Sequence, residues 1–176
     1  MSERVENVRV REACRRDVEE VVMVVTSSVI HGEDEGFVGP SQCSPFKDAA
    51  KLLNTWQDPN LVGTEEIFVA EIDGHIVGVV SVEDRDRGLE LVDIDVTRRY
   101  QGRGVGTRLV EYVEDKGRQR RKVAVTLGTS RNAEGVPWKS FTWWQSRGYD
   151  ITHEEENAWT RSIGLDVREI RMRKNL

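Results

Sequence analysis

The sequence predicts an α/β domain built on a sheet of mixed strand direction. Three observations carry that reading. Strand-like and helix-like segments alternate along the chain, a tight hairpin interrupts the alternation, and one strand runs into a glycine-rich loop that opens a helix.

Taken in order, "NVRVREA" (7–13) alternates like an edge strand. "DVEEVVMVVTSSVI" (17–30) follows as a helix with an apolar stripe, with Asp17 and Glu20 at capping-box spacing. Residues 31–43, "HGEDEGFVGPSQC", read as loop. Ser44 and Pro45 then start a short helix whose Phe46, Ala49, Ala50, Leu53 and Trp56 share a face, stopped by "DPN" (58–60). "IFVAEIDGHIVGVVSVE" (67–83) is a hairpin, because Asp73-Gly74 supplies the positive φ that a two-residue turn needs. "GLELVDIDV" (88–96) is the next strand. The helix after the glycine loop carries Val105, Leu109, Tyr112 and Val113 on one side. "KVAVTLG" (122–128) is an apolar strand, and Pro137 to Arg147 is helical with Gly148 as its stop. "DVREIRMRK" (166–174) alternates again.

Composition bounds the function. The 176 residues are 38 % hydrophobic and 32 % charged, which fits one globular domain that buries about 70 % of its unfolded surface. A charged first segment, "MSERVENVRVREACRRDVEE", leaves no place for a secretory leader. The longest apolar run, "VVMVV", is far short of a membrane span. Two cysteines, Cys14 and Cys43, suit a reducing cytoplasm rather than a disulfide framework, and the net charge of −5 argues against a general nucleic-acid binder. The expectation is a cytoplasmic protein with no nucleic-acid or membrane partner.

The glycine loop, "RRYQGRGVGTRLV" (98–110), places Gly102, Gly104 and Gly106 at every second position. A strand leading through such a loop into a helix binds phosphate, because free N–H groups and the positive end of the helix dipole converge on the anion. The nucleoside-triphosphate version is excluded, since Thr107 rather than lysine follows Gly106. The dinucleotide version is excluded too, because Leu109 stands where its third glycine belongs. Gln101-x-x-Gly104-x-Gly106 after "ELVDIDV" instead resembles the pyrophosphate loop of the GCN5-related N-acetyltransferase (GNAT) family. The hairpin resembles that family's second and third strands. "VRVREACRRDVEEV" resembles its first strand and helix, and "WWQSRGY" (143–149) its late aromatic-glycine element. The likeness runs from about Val8 to Arg173, leaving 31–63 as a variable, acceptor-side segment of one domain spanning 1–176.

The resemblance implies a mostly antiparallel mixed sheet of about seven strands with about four helices. It also implies acetyl-coenzyme A as co-substrate, without a metal. The backbone of Ile94, Asp95 and Val96 would pair with the pantetheine arm, and a strand N–H near Val96 would polarise the thioester carbonyl. N–H groups across Gly102, Arg103, Gly104, Val105, Gly106 and Thr107 would cradle the pyrophosphate, and Gln101, Asn132 and Trp144 would touch the coenzyme. Arg98, Arg99, Arg103 and Arg108 either add charge at the phosphates or form a solvated basic face.

An amine acceptor must lose a proton before it attacks, so the site needs a base. Glu90 is the candidate. Strand alternation puts it on one apolar face with Val92, Ile94 and Val96, and it stands eleven positions before Gln101, as the glutamate base does in the histone-acetylating branch of the family. Asp93 and Asp95 fall on the opposite face and are weaker candidates. Trp144 stands where family members often carry a tyrosine that protonates the leaving thiolate, and indole gives up no proton near neutral pH.

The remaining features read as structural. His31 with Glu33, Asp34 and Glu35 lacks metal-ligand spacing, and His75 follows a turn into solvent. Trp56, Trp138, Trp143 and Trp144 read as core or groove wall, with lining of an acceptor site as the other reading. Two functional classes stay open. The first is an enzyme acetylating a primary amine, either a small polyamine- or aminoglycoside-type molecule or a protein lysine or N-terminus. The second is a non-catalytic acyl-coenzyme A sensor or scaffold. A homodimer is an open assembly state.

Overall fold

The computed structural model describes residues 7–28, 44–57, 66–132, 134–164 and 166–176. The segment around His31, the acidic cluster 33–35, Cys43 and the "DPN" stop lie outside the described residues. Seven strands form one sheet: β1 (Arg9–Glu12), β2 (Glu66–Ile72), β3 (His75–Asp84), β4 (Gly88–Val96), β5 (Ala124–Thr129), β6 (Asp150–Glu155) and β7 (Glu169–Asn175). Their order is β1-β2-β3-β4-β5-β7-β6, antiparallel except for β4 beside β5. The α-helices are α1 (Val18–Ser27), α2 (Ala49–Gln57), α3 (Val105–Gln119), α4 (Lys139–Ser146) and α5 (Ala158–Ile163).

The mixed sheet and the hairpin follow the sequence reading. Asp73 and Gly74 take φ of 50° and 80°, as the two-residue turn requires. Gly148 ends α4 at φ 87°. Two apolar clusters cover the two faces of the sheet. One joins β-residues such as Val80, Leu91 and Leu127 to Val105, Leu109 and Val113 of α3. The other joins Val69 and Val79 to Val18, Val21 and Val25 of α1 and to Phe46 and Leu52. Gly78 lets α3 approach β3 closely, since a Cβ there would lie 2.9 Å from Val105 and 3.0 Å from Leu109.

Three local expectations are corrected. The capping box from Asp17 to Glu20 does not form, because Asp17 instead closes a capping box one turn earlier with Cys14 and Glu20 has a tertiary partner. Asp17 accepts Cys14 N–H at 2.7 Å and pairs with Arg11, while Glu20 accepts Ile76 N–H at 3.1 Å. The helix expected from Ser44 starts as a 3₁₀ turn over Pro45–Lys47, with Ser44 Oγ accepting Phe46 N–H, before α2 begins. Finally, β6 and α5 have no counterpart in the pattern reading. β6 is exposed along its length and so carries no apolar alternation, and α5 is too short to show a helical period.

Candidate functional site

β4 and β5 pair over four residue pairs, Gly88↔Ala124 to Leu91↔Leu127, and their ends then diverge. A cavity of about 560 Å³ opens in that divergence. It is lined on one side by Val25, Ser44 and Phe46 and on the other by the glycine loop, Trp143 and Trp144, so it runs through the sheet from the α1 face to the α3 face.

The glycine loop forms as the sequence requires. Gly102 and Gly104 have φ of 72° and 90°, a region that side chains resist, and Gly104 is the residue before the first turn of α3. The first N–H groups of α3 have no carbonyl one turn back, and Gly104, Gly106 and Thr107 line this end of the cavity. Gly106 lies under Trp143, 3.6 Å from where a Cβ would stand. Gln101 also ties the loop to the strand end, its Nε2 donating to Val96 C=O at 2.8 Å. Thr97 N–H donates to Val77 C=O on β3 at 2.9 Å, so alternation turns the N–H and C=O of Val96 away from β3 and into the divergence. An N–H aimed there meets the requirement for an oxyanion donor.

Of the sequence-predicted residues, Ile94, Asp95, Val96, Gln101, Gly102, Gly104, Gly106, Thr107 and Trp144 line the cavity. Val105 is instead buried under α3 at 1 % exposure. The Arg103 guanidinium lies 5.8 Å from the Tyr100 ring centre, with Arg99 at 5.7 Å, which holds two cations beside the loop. Arg108 leans on Glu111 at 3.4 Å on the exposed face of α3. Asn132 does not reach the cavity lining. Its Oδ1 accepts the N–H groups of Glu134 and Val136 at 3.1 and 2.9 Å, closing the turn made by the extra residues before Pro137. Trp56 lies beside Leu53, away from this cavity.

Glu90 is not on the face expected of it. The β3–β4 register skips at Val92, because Val82 pairs with Leu91 while Ser81 pairs with Asp93. One extra residue in β4 reverses the alternation. Leu89 and Leu91 therefore share the α3-side core with Ile94 and Val96, and Glu90 turns away from it. Its carboxylate takes Arg171 at 2.7 and 2.8 Å and the Thr126 hydroxyl, and it does not line the cavity.

The same bulge brings forward the two carboxylates ranked lower from sequence. Asp93 and Asp95 both line the cavity. Burial pushes Asp93 from 3.8 up to about 7, with the nearby Asp95 charge adding to the rise. Burial likewise raises Asp95 to about 6, opposed by the Ser28 hydroxyl that donates to it from the end of α1. Trp144, 4 % exposed, packs edge-on against Trp143 and Tyr149 at 4.6 and 5.2 Å. The Tyr149 hydroxyl is no substitute acid, since it donates to Glu114 at 3.2 Å and burial beside that carboxylate raises it far out of the neutral range. Trp138 and Trp159, 5.8 Å apart, add an aromatic wall.

Comparison with known proteins agrees with this geometry. The chain is 28 % identical over 116 residues to an "Uncharacterized N-acetyltransferase in pepI 3'region" from Lactobacillus delbrueckii subsp. lactis, covering 58 % of this chain and 65 % of that one. It is 44 % identical over 66 residues to the "Probable N-acetyltransferase camello" of Xenopus tropicalis, covering 36 % and 30 %. The chain thus spans less than two thirds of either curated relative. In fold it superposes on the PaiA N-acetyltransferase from Thermoplasma acidophilum in complex with coenzyme A, at a TM-score of 0.68 and 15 % identity over 97 % of this chain and 99 % of that one. Residues 32–136 match the model of the acetyltransferase (GNAT) family, and with the divergent β4–β5 pair and the loop of Gly102 to Gly106 inside that match, the chain belongs to the GNAT acetyltransferase family.

Proposed function

We propose that residues 1–176 form one N-acetyltransferase domain that moves an acetyl group from acetyl-coenzyme A directly to a primary amine held in the same cavity. The observation that carries this reading is the cavity through the sheet, with phosphate-type N–H groups at one mouth and the pair Asp93/Asp95 toward the other. The coenzyme would enter from the glycine-loop side, its pyrophosphate on the first turn of α3 and its pantetheine arm along Ile94 to Val96. Arg99 and Arg103, fixed on Tyr100, lie beside that mouth. The amine would arrive from the α1 side.

Asp93 takes the role first given to Glu90. A carboxylate raised to about 7 is half charged near neutral pH, so it accepts a proton from an ammonium far better than an ordinary aspartate would. Glu90, with both oxygens held by Arg171 and Thr126, does not line the cavity. The freed amine attacks the thioester carbonyl, and the Val96 N–H stabilises the oxyanion. Collapse of the tetrahedral intermediate expels the coenzyme thiolate, and the surplus proton on the attacking nitrogen passes through water to that thiolate. The thiol so formed has an ordinary pKa of about 8.5, so no tyrosine is required at position 144.

The test is a screen of amine acceptors, small and protein-borne, with thiol release as readout and calorimetry of acetyl-coenzyme A alongside. The reading expects micromolar coenzyme binding, much weaker NAD and ATP binding, and turnover of at least one amine. Tight coenzyme binding without turnover of any amine would favour the sensor alternative. Equal affinity for all three nucleotides would remove the acyl-coenzyme A reading altogether.

A further inference from the structure

Glu90 is a buried acid that the proposed chemistry leaves unused, and its connections lead to the aromatic wall of the cavity. From β4 its carboxylate holds Arg171 Nη2 on β7 at 2.7 and 2.8 Å. Arg171 Nη1 donates to Glu169 Oε1 at 2.9 Å, and Glu169 Oε2 accepts Asn157 Nδ2 at 2.6 Å. Asn157 caps α5, its Oδ1 accepting Thr160 N–H at 3.0 Å. The second residue of α5 is Trp159, which packs edge-on against Trp138 in the cavity wall. The chain of bonds crosses the base of the cavity closely: a Cβ on Gly128, itself a lining residue, would fall 1.6 Å from Glu169 Oε1.

We infer that Glu90 is a positioning residue. Its charge holds Arg171 so that Glu169 keeps one oxygen for Asn157, and this fixes α5 and the Trp138–Trp159 wall of the cavity. The Arg171 fork divides between two carboxylates, Glu90 and Glu169. In Glu90→Gln the guanidinium's remaining anionic partner among these contacts is Glu169, and the fork is drawn onto both of its oxygens in the bidentate geometry that arginine favours. Asn157 then shares Glu169 Oε2 with the guanidinium, which re-aims the residue that caps α5 through its bonds with Thr160.

This inference concerns the aromatic wall of the cavity to which the proposed function is assigned, but its test needs no turnover. Protein carrying 5-fluorotryptophan gives five ¹⁹F resonances, one for each tryptophan in the chain, assignable by single Trp→Phe variants. Glu90→Gln is expected to shift or split the Trp159 and Trp138 resonances and leave Trp56, on α2, unmoved. Asn157→Asp keeps the cap oxygen but replaces the Nδ2 donor with a charge that repels Glu169, so it should give the same signature from the other end. Calorimetric affinity for acetyl-coenzyme A should stay unchanged in both variants. Five unmoved resonances in Glu90→Gln would overturn the proposal. So would movement of all five, Trp56 included, which would make the network a prop of the whole fold. Wild-type protein that fails to bind the coenzyme would defeat the functional reading while leaving this ¹⁹F result to stand or fall separately.

Discussion

Replacing Asp93 with asparagine should lower activity and raise stability, and the two effects share one cause. Asp93 stands at about 7 instead of 3.8, a rise of about three units caused first by burial and then by Asp95. On activity, the charged fraction of Asp93 grows about tenfold between pH 6 and pH 8, so acetylation at saturating coenzyme should climb through an inflection near 7. Asp93→Asn keeps the size and removes the basicity, so the rate should fall on the order of 10²-fold or more and the rising limb should vanish. On stability the sign follows from linkage. Below about pH 4 the group is protonated in both the folded and the unfolded chain and contributes nothing. Between about 4 and 7 the unfolded chain has released its proton while the folded one holds it, so stability declines as pH rises. Above 7 the full penalty stands, at most about 4 kcal/mol at about 1.4 kcal/mol per unit, and less where water enters the cavity. Asp93→Asn should therefore be more stable than the parent in urea at pH 8, with the difference closing toward pH 4. The assays are thiol release against a proven amine between pH 5.5 and 9, and urea midpoints at pH 4, 6 and 8. Full activity with an intact pH limb in Asp93→Asn would refute the base assignment. An unchanged midpoint at pH 8 would refute the burial that is held to raise the carboxyl.

Two further substitutions separate the coenzyme site from the fold. Gly104→Val has room for its side chain, since nothing lies within 4 Å of a Cβ there, but the position sits at φ 90°. Calorimetry should therefore show coenzyme affinity falling at least about tenfold as the loop relaxes, with a stability loss of about 1–2 kcal/mol from the strained φ. Gly78→Val should do the reverse. Its side chain would meet Val105 and Leu109 at about 3 Å, so thermal unfolding should report a loss of about 1–3 kcal/mol or more from overpacking, with coenzyme affinity per folded molecule little changed.

What the sequence by itself determined is whatever local conformation enforces. Asp73-Gly74 dictates a turn of positive φ, and Gly102 and Gly104 dictate a loop that ordinary side chains resist. Val105, Leu109 and Val113 dictate the buried stripe of the helix that follows. From those residues and their order came the mixed sheet, the phosphate-type loop and the family resemblance. The tertiary structure decided which acid faces the cavity. Strand alternation is reliable only while the register holds, and the extra residue at Val92 is set by pairing with β3, a partner that the local pattern of β4 does not contain. That one-residue skip turned Glu90 toward Arg171 on β7, a strand 81 residues further along, and gave the cavity Asp93 and Asp95. The raised pKa of Asp93 arises in the same way. Burial depends on what packs around a side chain, and here the surroundings come from the ends of α1, β4 and β5, which only folding brings together.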